Sequence, residues 1–411
     1  MFNFYFDEAF HDQKITNIEG VLNSMTENAL DNYIGVFLGL SEELLKDAEI
    51  VFLEFEQKYR KVFSIHKDNE LKSRQIKIKQ YKYGLKSFNN DQFTFYLDYF
   101  NLIDKYISKI QIIPISKIEF LIGRFVKYLK IENYLYNKSA FIYSITKFIY
   151  TYHTKEIINS LFQIQDINSA ENFKKELINL LNIVIAEIRY IKRKQIEVGA
   201  LSQLKFLLES SYFTNISPVC TLNFSYVPDF EGLSRFLIKL NISKNDVNLL
   251  IDEHTQTYNE ACRYDFFYVN QMNSKNSIFL RMSDFLAGFI GKMIYGIQND
   301  SSFREEKILN TADIMQNDLA TKRILNSNWF SITKTQFQLY KNIFSIISNK
   351  ERCNIYYPLF IDQIIEFESL LEYFSSYSNF DSYNIISSEL HSEYCNTTTC
   401  EKLEKFYQKL I

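Results

Sequence analysis

Phe2, Phe4 and Phe6 alternate with Asn3, Tyr5 and Asp7. A period of two sends the aromatic set to one face of a strand and the second set to the other. This predicts a buried strand that ends in two acids, Asp7-Glu8. A weaker strand is expected over 15–22, and the near-continuous apolar run 33–40 predicts a buried one. Ser41-Glu42-Glu43-Leu44 then predicts a helix to about 63, with Ser41 as its cap and acids in its first turn. Leu44, Leu45, Ile50, Val51, Phe55 and Tyr59 hold the helical spacing. Asn90-Asp91 opens a helix to about 106, and 109–115 reads as a strand that Pro114 brings to its end.

From 117 to about 210 the pattern is helical throughout, with segments over 117–130, 138–153, 155–163 and a long one near 169–198. With no alternating strand, this predicts an all-helical insertion. Strand patterns return over 219–224, 246–253, 266–269 and 277–280, with a helix over 230–240 among them. A helix from Met282 to about 297 follows. Residues 301–411 read as helical, with Ser-Asn-Thr-rich pieces near 376–399. The expected organisation is an α/β core of 1–116 and 216–300, a helical insertion of 117–215 and a C-terminal helical region of 301–411.

Composition narrows this picture. The chain has 411 residues, 46% of them hydrophobic and 16% aromatic, with only 10 Gly and 4 Pro. Such a chain buries a large core and is neither disordered nor collagen-like. A net charge of -3 excludes a global positive field, so any grip on nucleic acid must be local. Between 72 and 86 stand Lys72, Arg74, Lys77, Lys79, Lys82 and Lys86 with no acid, and Tyr81 and Tyr83 lie among them. Two readings stay open: a basic strand that grips phosphate and stacks bases, or an edge strand whose lysines face solvent. Arg189, Lys192, Arg193 and Lys194 pose the same choice between phosphate contact and a solvated helix face. The five cysteines, Cys220, Cys262, Cys353, Cys395 and Cys400, lack metal-ligand spacing and read as reduced thiols of a cytoplasmic protein. No signal peptide and no membrane-spanning run is visible. Phosphate-binding glycine loops and paired-histidine metal motifs are absent, leaving His11 and His254 as candidates for proton transfer or as plain surface histidines.

The acids carry the chemistry. Asp252-Glu253 repeats the strand-end pair Asp7-Glu8, and Glu70 stands in Glu-Leu-Lys beside Lys72. Asp284 heads a helix face on which Ala287, Gly288 and Gly291 follow at helical spacing, so that face predicts close approach to another backbone. Carboxylates drawn together repel unless a cation separates them. Mg²⁺ or Mn²⁺ suits such oxygen donors. A pair of these ions can activate water and stabilise the leaving oxygen in phosphodiester cleavage.

Phe4-Tyr5-Phe6-Asp7-Glu8, Glu70-Leu71-Lys72, Leu249-Leu250-Ile251-Asp252-Glu253 and the 279–288 segment Phe-Leu-Arg-Met-Ser-Asp-Phe-Leu-Ala-Gly together resemble the domain-of-unknown-function family 3800. The resemblance covers about 1–116 and 216–298. It implies a ribonuclease H-like mixed sheet flanked by helices. It also implies metal binding by Asp7, Glu70, Asp252 and Asp284, with Glu8 and Lys72 as accompanying positions. Two departures stand out. Ala9-Phe10 follows Asp-Glu where Ser-Gly is usual, and Arg281 and Ser283 replace the usual Gln and Ala before the helix aspartate. Arg281 is open to two readings, a phosphate contact or a disruption of the usual site. The expected function is a divalent-metal-dependent nuclease or related phosphoesterase acting on nucleic acid, in which Lys72 orients Glu70 or binds phosphate. The alternative is a non-catalytic nucleic-acid- or protein-binding subunit of a larger antiviral or mobile-element assembly. Protein partners or a second copy would then use the helical regions, and no membrane is involved.

Overall fold

The computed structural model describes residues 1–10, 15–23, 30–66, 68–131, 137–191, 194–214, 225–308, 325–356 and 360–408, with side chains described no further than 300 in the 225–308 stretch. The aromatic alternation forms β1 (Phe2–Ala9). Next come β2 (Asn32–Ser41), α1 (Leu45–Val62), α2 (Asn90–Tyr106) and β3 (Lys109–Ser116). The insertion holds α3 (Lys117–Lys127), α4 (Lys138–Tyr152), α5 (Lys155–Phe162), α6 (Ile167–Ile188) and α7 (Gln195–Glu209). The chain then returns through α8 (Val227–Lys239), β4 (Val247–Asp252), α9 (Thr255–Ala261), β5 (Tyr268–Met272) and α10 (Ile278–Ile308). It closes with α11 (Lys334–Ser348), β6 (Cys353–Ile355), α12 (Asp362–Ser375), α13 (Phe380–Asn384) and α14 (Ser388–Tyr407).

The six strands form one mixed sheet in the order β6-β3-β2-β1-β4-β5. β2 runs antiparallel to both its neighbours, β1 and β3. The pairs β1/β4, β4/β5 and β3/β6 are parallel. Pro114 sits inside β3, not at its end. Among the described residues β6 pairs only with 110–112, so no described ladder bond calls on the nitrogen of Pro114. Phe4, Phe6, Phe37, Leu249 and Ile251 bury one sheet face against α8. The opposite face carries Tyr5, Val36 and Leu38 and is covered by α10, with α1, α2, α11 and α12 packed around it. Ala9, Phe10 and Leu250 lie half-buried at its margin. The insertion builds a separate core from α3 to α7, joined by Ile15 and Leu22.

Several sequence expectations are corrected. Ser41 is extended but makes no side-chain cap, because a 3-10 turn, Glu42–Leu44, precedes α1. The strand expected over 15–22 is a small hairpin of Asn17–Ile18 and Val21–Leu22. The basic segment is not a strand but three 3-10 turns, Ser73–Gln75, Ile78–Tyr81 and Gly84–Ser87. The buried side chains of Leu71, Ile76, Tyr81 and Leu85 stand five, five and four residues apart, and a gap of five changes the face of a strand. The helix expected near 169–198 ends at Ile188, and the chain turns so that Leu201, Leu204 and Leu208 of α7 enter the core lined by α6. A short ribbon also interrupts the helical insertion, since Leu129–Ile131 pairs antiparallel with Ser211–Phe213. The 277–280 run belongs to α10, whose opening turns are buried all round. The last region contributes β6 as well as helices. The strand expected over 219–224 lies outside the described residues.

The glycines of α10 serve the close approach read from their spacing. A Cβ at Gly291 would overlap the Phe10 ring, and one at Gly296 would overlap the Tyr81 carbonyl.

Candidate functional site

Parallel pairing sets Phe6 opposite Ile251. The next residue on each strand, Asp7 and Asp252, therefore leaves the same end of the sheet on the same face. That face lies under α10. Ser283 Oγ donates to the Tyr5 carbonyl at 2.9 Å and seats the helix on β1, so Ser283 is a docking residue. One residue on, Asp284 projects toward the segment between α1 and α2, where Ser73 N donates to its Oδ2 at 2.6 Å and Ser73 Oγ to its Oδ1 at 2.9 Å. Asp284 is thus not a first-turn acid held by the helix dipole, because α10 begins at Ile278. Its partners are explicit donors.

Lys72 stands in the midst of the acids. Its Nζ is 3.3 Å from Glu70 Oε2 and 3.7 Å from Asp252 Oδ2. Ser274 joins the same two acids from the far side. Its amide donates to Asp252 Oδ1 at 3.0 Å and its hydroxyl to Glu70 Oε1 at 3.2 Å. The structure thus places Asp7, Glu70, Lys72, Asp252 and Asp284 together at one sheet end. Glu8 turns to the other face, where Tyr226 hydrogen-bonds its carboxylate.

Charge is unbalanced here. Asp7 is 7% exposed and Asp284 8%. Asp7 Oδ1 accepts from the Glu8 amide at 2.8 Å, but Oδ2 is buried with no hydrogen-bond partner among the described residues. Burial pushes the Asp7 carboxyl well above the usual range, and the charges of Asp284, Glu8 and Asp252 add to this while Lys72 opposes it. Burial and Asp252 raise Glu8 to about 7, again against Lys72. Burial also raises Asp284, with the Ser73 amide, Lys72, the Ser73 hydroxyl and Lys292 pulling it back. Burial disfavours the Lys72 ammonium, yet Asp7, Asp284, Asp252 and Glu70 more than offset this and raise it.

No family model, curated protein or solved structure matches this chain.

Among the described residues no group of three or more His, Cys, Asp or Glu side chains is arranged to hold a metal ion as it stands. The donor types nonetheless fit a hard divalent cation. They are all carboxylate oxygens, and the buried Asp7 Oδ2 lacks a partner. Arg281 turns into the protein. It is buried, with Nη2 2.6 Å from Glu56 Oε2 and Nη1 donating to the Ser274 carbonyl. His254 caps α9, its Nδ1 lying 2.6 Å from Thr257 Oγ1. His11 lies outside the described residues. Sequence reading missed Ser73, Ser274 and Lys292. Lys292 did leave a signal, as the lone charge in the otherwise apolar stretch of α10 from Phe285 to Ile297.

The raised carboxyls make the metal-free protein pH-sensitive. A carboxyl whose folded pKa is raised stabilises the fold below its unfolded pKa, and this contribution is lost as pH rises through the folded value. For Glu8 that window runs from its ordinary 4.5 to about 7, and Asp7 and Asp284 shift in the same direction. The thermal midpoint in chelator should therefore fall between roughly pH 5 and pH 7.5. Circular dichroism melts across that range check it, and a flat or rising midpoint contradicts the assignment.

Proposed function

We propose that this chain is a divalent-metal-dependent nuclease, or a related phosphoesterase acting on nucleic acid. One observation carries the reading. Acids from β1, the 70–72 segment, β4 and α10 meet around the Lys72 ammonium, and the most buried of them keeps an oxygen without a partner among the described residues. Asp7, Asp252 and Asp284 would hold Mg²⁺ or Mn²⁺, as two ions, with Glu70 as a fourth ligand. Such ions supply an activated water and neutralise charge at the phosphorus and the leaving oxygen. The protein's own part is positional. Ser73 aims Asp284, and Ser274 fixes Asp252 and Glu70. Lys72 holds Glu70 in place and offers a cation to a phosphate.

The mixed sheet, with acids at the ends of two parallel strands and on the following long helix, supports the ribonuclease H-like reading of the core. Arg74, Lys77, Lys79, Lys82 and Lys86 are exposed on the turns that directly follow Lys72. A basic surface next to the acids suits a polyanionic substrate. Free thiols at Cys262, Cys353 and Cys395 support a reducing, cytoplasmic setting. No helix among the described residues is long and apolar enough to cross a membrane.

The test is cleavage of end-labelled DNA and RNA with Mg²⁺ or Mn²⁺, beside Asp252→Asn and a chelator control. Removing one such ligand should slow cleavage by about 100-fold or more, some 3 kcal/mol of barrier. Equal cleavage by wild type and variant rejects the reading.

A further inference from the structure

Ser73 is held by one face of α10 through every polar atom it has. Its amide and hydroxyl donate to the two oxygens of Asp284. Its carbonyl accepts from Lys292 Nζ. Its Cβ lies where the Cβ of any larger residue at position 288 would have to stand, so Gly288 is the socket that admits it. Asp284, Gly288 and Lys292 are successive i, i+4 neighbours, one above the other on the helix. Lys292 is itself committed to this contact: it is buried, and its ammonium lies 5.8 Å from the centroid of the Tyr81 ring. Lys72 immediately precedes Ser73, and Glu70 stands two residues before that.

We infer that Ser73, seated in the Gly288 socket and buttressed by Lys292, is the positioning residue of the site. Pinning Ser73 fixes the Glu70-Leu71-Lys72 turn against α10 and aims the Asp284 carboxylate. The seven-residue segment 70–76 has no strand partner to register it. It is held instead by this clamp, by the burial of Leu71 and Ile76, and by the Ser274 bond to Glu70. Ser73 touches no reacting group. It acts through Asp284 and Lys72, and the assignment rests on the metal-dependent reading of those acids. Residues that orient a metal ligand from behind typically alter metal affinity by about 10- to 100-fold when removed.

The experiment uses the full chain with Ser73→Ala, Lys292→Met and Gly288→Ala beside wild type. Hydrogen–deuterium exchange of peptides spanning 70–76, measured without metal, reports whether the turn is pinned. Mn²⁺ binding, measured by the paramagnetic resonance signal of free Mn²⁺, reports whether the pin serves the acids. Ser73→Ala removes a single hydroxyl, and Lys292→Met keeps the length of its side chain, so both should fold. The expected result is exchange in 70–76 faster by about tenfold in all three variants, with Mn²⁺ affinity weakened by about 10- to 100-fold. Unchanged exchange in 70–76 overturns the clamp. Faster exchange with wild-type Mn²⁺ affinity overturns the positioning role and leaves a merely structural contact. Wild-type protein that takes up no Mn²⁺ overturns the metal reading and this assignment with it. Wild-type uptake matched by Ser73→Ala overturns this assignment alone.

Discussion

Asp7→Asn should abolish cleavage and, in the absence of metal, make the protein more stable. The two effects share one cause. Asp7 is buried at the end of β1 with Asp284, Glu8 and Asp252 close enough to raise its pKa, and one of its oxygens has no partner among the described residues. In metal-free protein the fold opposes its ionisation, and an amide of the same shape removes that cost. The thermal midpoint in chelator should rise by roughly 1–3 °C, modest because the chain is long. Cleavage with Mg²⁺ should fall by about 1000-fold or more, since a neutral amide is a poor ligand for a hard cation. Saturating Mn²⁺ should stabilise wild type and leave Asp7→Asn unmoved. Melts with and without metal, set beside a cleavage assay, check all three. A variant that is both inactive and destabilised in chelator would mean that Asp7 serves the fold and not a cation.

The second large effect is expected at Arg281. With side chains only 6% and 9% exposed, Arg281 and Glu56 form a buried pair at 2.6 Å. Arg281→Met takes away the nearer of two cations at Glu56, with Arg60 Nη1 still 3.5 Å from Glu56 Oε1, and should cost about 1.5–3 kcal/mol. The urea midpoint should drop accordingly. Glu56→Leu combined with Arg281→Met should recover part of the loss, because apolar side chains then replace the buried pair while the less buried Arg60 loses only a partner at 3.5 Å. Arg281 also holds the Ser274 carbonyl, and Ser274 in turn holds Glu70 and Asp252, so the single variant should lose activity before it unfolds. A phosphate-binding arginine would behave in the opposite way, with weakened substrate binding and an unchanged urea midpoint.

Arg281 marks the boundary of what the sequence made legible. Its position next to the acids was readable, but its partner Glu56 lies on α1, 225 residues away, and nothing local announces that pairing. Asp7 was readable because period-two alternation runs up to it and stops at an acid, and Asp252 because the apolar run Leu249-Leu250-Ile251 ends in the same Asp-Glu pair. Gly288 and Gly291 were readable because glycine in a helix is costly without a close neighbour. The identity of that neighbour was not, since Ser73 is an ordinary serine in a segment whose Ile76-Lys77-Ile78-Lys79 alternation imitates a strand. The run from 277 to 280 failed for a related reason. Its three apolar residues, Ile278, Phe279 and Leu280, are too few to separate a strand from the first turn of a buried helix. β6 was missed because a three-residue strand carries no period.

The pairing of β1 with β4 has a consequence in time. Asn3 and Asn248, bonded side chain to side chain across the two strands, are 245 residues apart. At roughly 5–20 residues per second, translation takes about 12–50 s to cover that interval. Throughout it β1 can gain β2 on one side but must wait with its other edge open, while the insertion already has enough sequence to form its separate core. Synthesis that stalls within the insertion would leave a Phe-rich strand with an exposed edge, the type of surface that recruits chaperones or aggregates.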